Sequence, residues 1–273
     1  LIHGTSHTWL RSGLLGRGAT GTVWKGQDVN TGHTMAVKES DLDMNLEVPP
    51  DVALEIEIHR GLKHPNILKF FGTDCVKARC YIYLEYMPGG SLLQMLKKNG
   101  PLDEPSVQNY SCQVLSGLAY LHQHAVLHRD VKAANILLGE DRTVAKICDF
   151  GCSKRSRVSA KHTLRGSVLW MSPEVINSSK YGFKADIWSF GCTVIEMLTA
   201  RPPWGEFTTQ IAAMMFISSC DEMPPLPGAV SPQLRDFVAC CTRRAPKERL
   251  RAKKLLMHEF LNSRGCEWPI DIT

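Results

Sequence analysis

The chain has 273 residues, of which 44% are hydrophobic and 22% charged, and its formal net charge is +5. This length and composition indicate a folded globular protein of one or two domains and exclude the disordered and fibrous classes. The positive charge is mild and dispersed, so we expect no nucleic-acid partner, and no apolar run approaches the ~18 residues of a membrane span. Ten cysteines without zinc-like spacing predict reduced thiols and a cytoplasmic protein.

The first part of the chain, up to about residue 87, is mostly strand-like. Short β-type runs over 14–25 and 34–39 are separated by the polar turn DVNTGH. One helix is predicted from near Asp51, just after two prolines, to about Gly61. Strand signals return over 67–71 and 81–85, and the sequence MPGGS then interrupts the pattern.

The second part of the chain is mostly helical. Apolar residues recur at three- and four-residue intervals over 104–122, which predicts a helix packed on one side. A shorter helix over 92–98 has Ser91 as its N-cap and Gly100 just past its end. The stretch 186–198 is apolar nearly all round and predicts a buried central helix, and the C-terminal KERLRAKKLLMHEFL is again helical. We therefore predict an α+β fold.

Two lobes follow from this division. A small β-rich lobe with one main helix occupies residues 1–87, and a larger α-helical lobe occupies residues 88–273. The two together are expected to form a single functional domain, with the joint near residues 86–90.

The glycine-rich stretch GRGATGTV is the first candidate site. Because the residues after its last glycine continue as strand, it favours a β-hairpin lying over phosphates and not a dinucleotide-binding turn, although a purely structural turn remains equally possible. Lys38 lies on the next predicted strand, and the following helix offers Glu55 or Glu57 as its partner. The three glycines are Gly16, Gly18 and Gly21.

A second candidate site lies in LHRDVKAANILL, residues 127–138. It places Asp130, Lys132 and Asn135 within six positions of one another, just ahead of an apolar run. Asp149 follows at the end of another apolar strand, in CDFG. A single Asp or Asn in a loop often satisfies only its own backbone, but carboxylate and amide oxygens are also the ligands that magnesium takes together with phosphates.

The order and spacing of these motifs resemble the catalytic domain of eukaryotic protein kinases, over about residues 14–261. The motifs GRGATGTV, AVK, HRDVKAANILL, DFG, SPE, DIWSFG and PKERL occur in the family's order. The resemblance implies a bilobal kinase-like fold, ATP and Mg²⁺ as cofactors, and transfer of the γ-phosphoryl group to a protein hydroxyl. EYMPGGSL, KHPNIL and WMSPEVI are most similar to the kinases that activate MAP kinase kinases.

The resemblance assigns roles to the second candidate site. Asp130 matches the catalytic aspartate that orients the substrate hydroxyl and accepts its proton. Lys132 matches the lysine that steadies the transferred phosphoryl group. Asn135 and Asp149 match the magnesium ligands.

The resemblance also defines a nucleotide site. Lys38 matches the strand lysine that holds the α- and β-phosphates, and Glu55 fits the place of its partner better than Glu57. The implied contacts include the gatekeeper, Leu84, and two residues whose backbone faces adenine, Glu85 and Met87. The complete implied set is Leu15, Gly16, Gly18, Gly21, Val23, Ala36, Lys38, Glu55, Leu84, Glu85, Met87, Leu137 and Asp149.

The catalytic loop also narrows the substrate class. A lysine two residues after Asp130, together with GSVLWMSPE, is the serine/threonine pattern, with Ser167 where the family more often has threonine. The substrate is then a protein hydroxyl, and the subfamily resemblance points to a MAP kinase kinase. A tyrosine kinase is the nearest enzymatic alternative.

The segment between the DFG and SPE motifs carries five basic residues and no acid. We expect it to become ordered by phosphorylation, with Thr163 as the main site and Ser156 and Ser159 as further candidates. Ser167 completes the predicted regulatory set. Either an upstream activator or autophosphorylation would supply the phosphate.

Two alternatives from other classes are a catalytically inactive pseudokinase scaffold and a protein-binding regulatory module. The second rests on an exposed helical tail expected near HEFLNSRGCEWPI.

Two residues depart from the family pattern, and each adds an expectation. His59 stands where an aliphatic residue is usual, so we expect weaker or partner-dependent positioning of its helix. Cys148 borders the nucleotide site, as a small core residue or as a reactive thiol.

Overall fold

A computed structural model describes residues 2–3, 8–18, 21–43, 45, 47–155, 167–177, 181–205, 207 and 209–262. The first lobe is an antiparallel sheet. Its strands are β1 (Ile2–His3), β2 (Thr8–Gly18), β3 (Gly21–Asp28), β4 (Thr34–Asp41), β5 (Phe70–Val76) and β6 (Arg79–Glu85). They lie in the order β1-β2-β3-β4-β6-β5, and helix α1 (Pro50–Arg60) connects β4 to β5.

The strand-like run over 14–25 belongs to two strands, β2 and β3, which form a hairpin that pairs Gly18 with Gly21. Side chains of β4 alternate between two faces, as the pleat requires. Ala36 belongs to the core beneath the sheet, beside the cleft, whereas Met35 and Val37 join a second core that contains Trp9. The sheet therefore holds one apolar face toward the second lobe and covers its other face with its own N-terminal residues.

Helix α1 begins where the sequence predicts. Pro50 occupies the first turn, where its missing N–H costs no hydrogen bond, and Asp51 places a negative charge near the helix N-terminus. Gly61 follows the last residue and bonds back to the helix through its N–H. The helix turns Glu55 and His59 inward, and both side chains are buried.

The second lobe is mostly helical. In chain order its elements are α2 (Leu92–Asn99), α3 (Glu104–Gln123), β7 (Val126–Leu127), β8 (Ile136–Leu138), β9 (Ala145–Ile147), β10 (Lys154–Arg155), α4 (Pro173–Ile176), α5 (Lys184–Thr199), α6 (Gln210–Ser219), α7 (Pro232–Thr242), α8 (Ala252–Leu255) and α9 (Glu259–Asn262), with 3-10 turns at Ala133–Asn135 and Val168–Trp170. The helices are arranged around α3 and α5. β8 and β9 form a short hairpin, and β7 pairs with the more distant β10 in a separate two-stranded sheet.

The predicted helix caps and the central helix are confirmed. Ser91 and Gln94 form a reciprocal capping box at the start of α2, and Gly100 follows its last residue. The side chains of α5 are buried from Ala185 to Leu198, so this helix forms the centre of the lobe. Among the described residues, no helix is both long enough and apolar enough to cross a bilayer. The α+β architecture agrees with the sequence prediction.

The expectation of an exposed helical tail is wrong where the structure describes it. Phe260 and Leu261 of α9 are buried, because α9 packs against α3 and α7. The amide of Gln108 on α3 donates to both of their backbone carbonyls, at 2.7 and 3.1 Å. The rest of that stretch, residues 263–273, lies outside the described residues.

The joint between the lobes explains the MPGGS sequence. Gly89 donates its N–H to Leu138 O at 3.0 Å, and Gly90 O accepts from Leu138 N at 2.9 Å. A Cβ on Gly89 would lie 2.2 Å from the backbone oxygen of Gly139, and Gly90 has a φ of +71°. Only glycines allow this close backbone approach, which fixes the start of the second lobe beside β8.

Candidate active site

A cleft of about 440 Å³ lies between the sheet and the helical lobe. Every residue of the nucleotide set implied by the sequence lines it. The set comprises Leu15, Gly16, Gly18, Gly21, Val23, Ala36, Lys38, Glu55, Leu84, Glu85, Met87, Leu137 and Asp149. Asn135 and Cys148 also line the cleft. The cleft is therefore concave and largely pre-formed, as small-molecule sites usually are.

The inner end of the cleft near the joint is apolar. Ala36, Leu84 and Met87 are buried there, and Leu137 packs against the same cluster from the second lobe. Cys148 closes this region, and burial raises the pKa of its thiol, so the sulfur stays protonated and acts as a small apolar wall. A flat aromatic base fits such a slot.

Backbone groups at the joint provide the polar part of the slot. The Glu85 carboxylate is turned to Lys146, whose Nζ lies 2.7 and 2.8 Å from its two oxygens. The Glu85 N–H donates to Lys69 O, and Met87 O accepts from the N–H of Gly90. The joint therefore presents backbone polar groups beside the apolar slot, at the two residues for which the family resemblance implies contacts with adenine, Glu85 and Met87.

An ion pair lies at the polar end of the cleft. Lys38 on β4 donates to both carboxylate oxygens of Glu55 at 2.7 Å, and its Nζ lies 3.7 Å from Asp149 Oδ1. Burial disfavours the charge on Lys38, but Glu55 and Asp149 outweigh it and raise its pKa. The lysine is therefore cationic. It lines the cleft together with Gly16, Gly18 and Gly21 of the β2–β3 hairpin, called the glycine hairpin below.

Asp130 is held by a network of three other residues in the second lobe. Lys132 Nζ donates to Asp130 Oδ2 at 2.8 Å, and Asn135 Nδ2 donates to the same oxygen at 2.8 Å. The Ser167 N–H donates to Asp130 Oδ1 at 3.0 Å, and Lys132 also reaches Ser167 Oγ at 2.5 Å. The sequence motif alone could not give these orientations, because Ser167 is 37 residues from Asp130.

The electrostatics of this network favour an ionised carboxylate. Burial by itself would raise the pKa of Asp130, but the charge and hydrogen bond of Lys132 and the Ser167 N–H lower it overall. Two residues of the site have positive φ, Arg129 at 72° and Asp149 at 65°. For non-glycine residues this conformation costs about 1–2 kcal/mol each. Arg129 is held in it by the bond from its N–H to Asp186, at 2.8 Å.

Asp186 is a supporting residue that the sequence analysis did not identify. It lies at the start of α5, is fully buried, and accepts from the backbone N–H groups of His128 and Arg129 at 3.0 and 2.8 Å. His122 Nε2 lies 2.9 Å from its carboxylate. Burial opposes its charge, yet these contacts lower the pKa of Asp186. It therefore fixes the loop that carries Asp130. The available signal was the DIWSFG motif, which begins with Asp186 and was recognised in the sequence without a role.

A second supporting pair joins the SPE and PKERL motifs. Arg249 donates to both oxygens of Glu174 at 2.6 and 2.7 Å, with its own side chain completely buried. It also donates to the backbone carbonyls of Arg243 and Lys184. This bidentate contact ties the segment after Ser167 to the C-terminal helices. Both motifs were recognised in the sequence, but neither was given a role.

The predicted regulatory residues are only partly described. Ser156, Ser159 and Thr163 lie outside the described residues, whereas Ser167 contacts Asp130 and Lys132.

A further group with metal-binding side chains lies away from the cleft. Asp236 and Cys240 on α7 approach His258 just before α9. His258 Nδ1 accepts from the N–H of Phe260 at 3.2 Å, so the neutral ring carries its proton on Nε2, which donates to Asp236 at 3.1 Å. Through these bonds His258 connects α7 to the first turn of α9.

With the site defined, the family comparison decides the identity of the fold. The family model described as "Protein kinase domain" matches residues 9–261. The chain belongs to the protein kinase family. The matched range includes the whole glycine hairpin, the Lys38–Glu55 pair and the loop around Asp130, so the kinase domain covers nearly all of the chain.

Similar curated proteins include three MAP kinase kinase kinases. Mitogen-activated protein kinase kinase kinase A of Dictyostelium discoideum is 39% identical over 96% of this kinase domain and 28% of that protein. Mitogen-activated protein kinase kinase kinase YODA of Arabidopsis thaliana is 40% identical over 96% and 30%, and mitogen-activated protein kinase kinase kinase 19 of Mus musculus is 39% identical over 96% and 21%. The chain spans less than a third of the length of these relatives.

Proposed function

We propose that this chain is a serine/threonine protein kinase domain that transfers the γ-phosphoryl group of ATP to protein hydroxyls. The observation that carries the proposal is the arrangement of Asp130. Its carboxylate is ionised and oriented by Lys132, Asn135 and Ser167, at the edge of a cleft that holds the buried Lys38–Glu55 pair. Phosphoryl transfer needs positioning and charge neutralisation more than covalent chemistry, and this set supplies both.

ATP is the nucleotide that the cleft suits best. The apolar slot around Ala36 and Leu84 accepts adenine, with hydrogen bonds from the backbone of Glu85 and Met87. The cationic Lys38 then contacts the phosphates, and the glycine hairpin lets backbone N–H groups approach them. Glu55 keeps Lys38 in place through two bonds of 2.7 Å.

Magnesium fits the donor set at the phosphate end of the cleft. Asn135 uses its amide nitrogen to bond Asp130, which leaves its carbonyl oxygen for a cation. Asp149 lines the cleft with a half-exposed carboxylate 3.7 Å from Lys38. Asn135 and Asp149 would hold the ion, since amide and carboxylate oxygens are its preferred protein ligands. When bound, it neutralises charge on the phosphates.

Asp130 has a positioning role first and a proton-accepting role second. It accepts a hydrogen bond from the substrate hydroxyl and aims that oxygen at the γ-phosphorus. It receives the hydroxyl proton as the new P–O bond forms and the bond from the γ-phosphorus to the bridging oxygen breaks, so that ADP leaves with that oxygen. Its lowered pKa makes it a weak base, which suffices because the transferring group is loosely bonded to both oxygens. Lys132, bonded to both Asp130 and Ser167, places a positive charge beside the transferred group.

The substrate class and pathway extend this proposal. The names of the relatives support a place in a MAP kinase cascade, with a MAP kinase kinase as the protein substrate. The described cysteines are free thiols, which supports a reducing, cytoplasmic location. Regulation by phosphorylation of Thr163, with Ser156 and Ser159 as further sites, is part of the proposal. A Thr163→Ala variant with full activity would contradict that part.

The inactive-scaffold alternative has no supporting observation. All five key residues are present: Lys38 contacts Glu55 and Asp149 in one group. In a second group Asn135, which lines the same cleft, donates to Asp130. A scaffold would have no need to maintain these buried charges, which are costly to desolvate.

The test is transfer of labelled phosphate from ATP with Mg²⁺ to a mixture of proteins, followed by separation of the three phosphoamino acids. We expect label on serine and threonine, and an at least ~10²-fold lower rate in Asp130→Asn. The matched control is Asp221→Asn, an exposed site far from the cleft in sequence, which should retain the parental rate. Label on tyrosine alone, or equal rates in the parent and Asp130→Asn, would overturn the proposal.

A further inference from the structure

His59 on α1 is the unusual polar residue beside the active site. It follows Glu55 by one helical turn and is only 2% exposed. Its Nε2 lies 2.6 Å from the carbonyl oxygen of Leu68. A carbonyl can only accept, so Nε2 carries the ring proton and donates it. Burial lowers the pKa of His59 to about 4, so the ring is neutral, and the buried side chain is satisfied by this bond.

Leu68, whose carbonyl accepts this bond, is also bonded to β9, the strand that precedes Asp149. Leu68 donates its own N–H to Ile147 O at 2.9 Å. Ile147 is the last residue of β9, and Asp149 follows two residues later. The backbone of Leu68 therefore connects His59 on α1 to the end of β9, close to the proposed metal ligand Asp149.

The ring of His59 makes a second connection through tilted contacts with two aromatic rings. Its centroid lies 4.6 Å from that of Phe150, directly after Asp149, and 5.6 Å from that of Phe70 on β5. Phe150 in turn contacts the ring of His128, at 5.4 Å. His128 Nδ1 accepts from the Asp130 N–H at 3.3 Å. The ring therefore lies between the sheet and the loops that hold both proposed catalytic acids.

An aliphatic side chain could fill this space but could not donate to Leu68. It would leave a buried carbonyl without its side-chain donor and α1 attached only by apolar packing, which tolerates sliding better than a directional bond does. This argument points in the opposite direction to the sequence-based expectation of weaker or partner-dependent positioning of α1. The described contacts instead give α1 an additional polar attachment.

We propose that His59 is a positioning residue for phosphoryl transfer. Its hydrogen bond to Leu68 fixes α1 where Glu55 engages Lys38, and through Ile147 it holds Asp149 in register with that pair. This inference rests on the proposed kinase function, but the helix position that it describes can be measured separately.

The experiment compares His59→Leu with His59→Gln. Leucine retains the apolar volume and loses the donor, whereas the Gln side-chain N–H can reach Leu68 from nearly the same distance as Nε2. We expect kcat to fall about tenfold in His59→Leu with the KM of the protein substrate unchanged, and to recover to within about threefold of the parent in His59→Gln. The matched control is His33→Leu, an exposed histidine of the same lobe, with parental kcat.

Two further measurements separate positioning from general destabilisation. A double-mutant cycle with Glu55→Gln should be non-additive, because His59 acts through the Glu55–Lys38 pair. If the loss were purely structural, the fold-reduction in kcat of the double variant would equal the product of the two single fold-reductions. Hydrogen–deuterium exchange over residues 50–60 should be faster in His59→Leu and parental in His59→Gln.

The outcomes distinguish this inference from the proposed function. Parental kcat and parental exchange of α1 in His59→Leu would overturn the positioning role. Equal losses in His59→Leu and His59→Gln, additive with Glu55→Gln, would also overturn it. If the parent transfers no phosphate while α1 exchange still responds to leucine and recovers with glutamine, the kinase proposal fails and the attachment of α1 through His59 stands.

Discussion

The buried carboxylate of Glu196 on α5 predicts a measurable pH dependence of stability. Glu196 is 3% exposed, and two donors, the N–H of Ala133 and the indole N–H of Trp170, both bond to its Oε2 at 3.0 Å. Burial raises its pKa from the usual 4.5 to about 7, although these two bonds and the charge of Lys132 oppose the shift. Because both donors use one oxygen, the other can carry a proton without losing either bond.

The sign and size of the effect follow from this raised pKa. The folded protein keeps the Glu196 proton up to about pH 7, whereas the unfolded chain releases it near pH 4.5. Between these values unfolding releases a proton, so stability falls as the pH rises. The interval from 4.5 to about 7, at ~1.4 kcal/mol for each pH unit, corresponds to about 3 kcal/mol. That is a large part of the ~5–15 kcal/mol that stabilises a typical domain.

Glu196→Gln removes the titration and retains a carbonyl oxygen for both donors. We expect its free energy of unfolding, relative to that of the parent, to rise by about 3 kcal/mol between pH 4.5 and pH 7 and then to level off. The assay is urea unfolding at closely spaced pH values, with the slope against urea checked for constancy. The difference between the two curves is the relevant quantity, because the Gln amide adds a buried N–H₂ group of its own.

The control is Glu222→Gln, which removes one carboxyl at an exposed position. Its curve should run parallel to that of the parent across the whole pH range. A parallel curve for Glu196→Gln as well would refute the reasoning. It would mean that Glu196 is ionised in the folded protein throughout and that its donors and Lys132 fully offset its burial.

Two further predictions concern packing and the catalytic loop. In Gly191→Ala on α5, the new Cβ would lie 2.7 Å from two side-chain atoms of α7, so urea unfolding should show a loss of about 1–3 kcal/mol. Gly182 has open space around it, so Gly182→Ala should lower the free energy of unfolding much less. Equal decreases in the two variants would contradict the steric argument. Ser167→Ala removes the hydroxyl that Lys132 contacts at 2.5 Å and should lower kcat about tenfold. Ser167→Thr should restore kcat, and a Thr variant as slow as Ala would show that the hydroxyl is not the relevant group.

Local patterns predicted the elements of this fold well because helices and strands bury one face at a fixed period. The apolar spacing over 104–122 corresponds to α3, and the caps of α2 follow from Ser91 and Gly100. The run over 14–25 did not show where one strand ends and the next begins, because the hairpin continues the same pattern through its glycines. The C-terminal tail was wrongly expected to be exposed, since its partner, Gln108, lies 152 residues earlier.

The nucleotide set could be predicted because short motifs carry it, whereas its supports could not. Asp186 and Glu196 look like interruptions of an apolar helix in the sequence. Each has one side-chain partner, but their other partners are backbone N–H groups more than 50 residues away. Backbone donors have no residue-type signal. The role of His59 was missed for the same reason, because its acceptor is the carbonyl of Leu68.

The joint between the lobes limits how the cleft can open. Gly89 is bonded to Leu138, and Glu85 is paired with Lys146, so the helical lobe holds the chain on both sides of Tyr86–Pro88. Pro88 has a fixed φ, which leaves few backbone torsions to absorb a rotation of the sheet. A rotation of the sheet relative to the helical lobe would therefore have its axis near Tyr86–Pro88, and a base bonded to the backbone of Glu85 and Met87 would lie on that axis. Nucleotide binding would then restrict the angle between the lobes more than it changes their separation. Exchange of nucleotide would proceed by a small hinge rotation around Tyr86–Pro88.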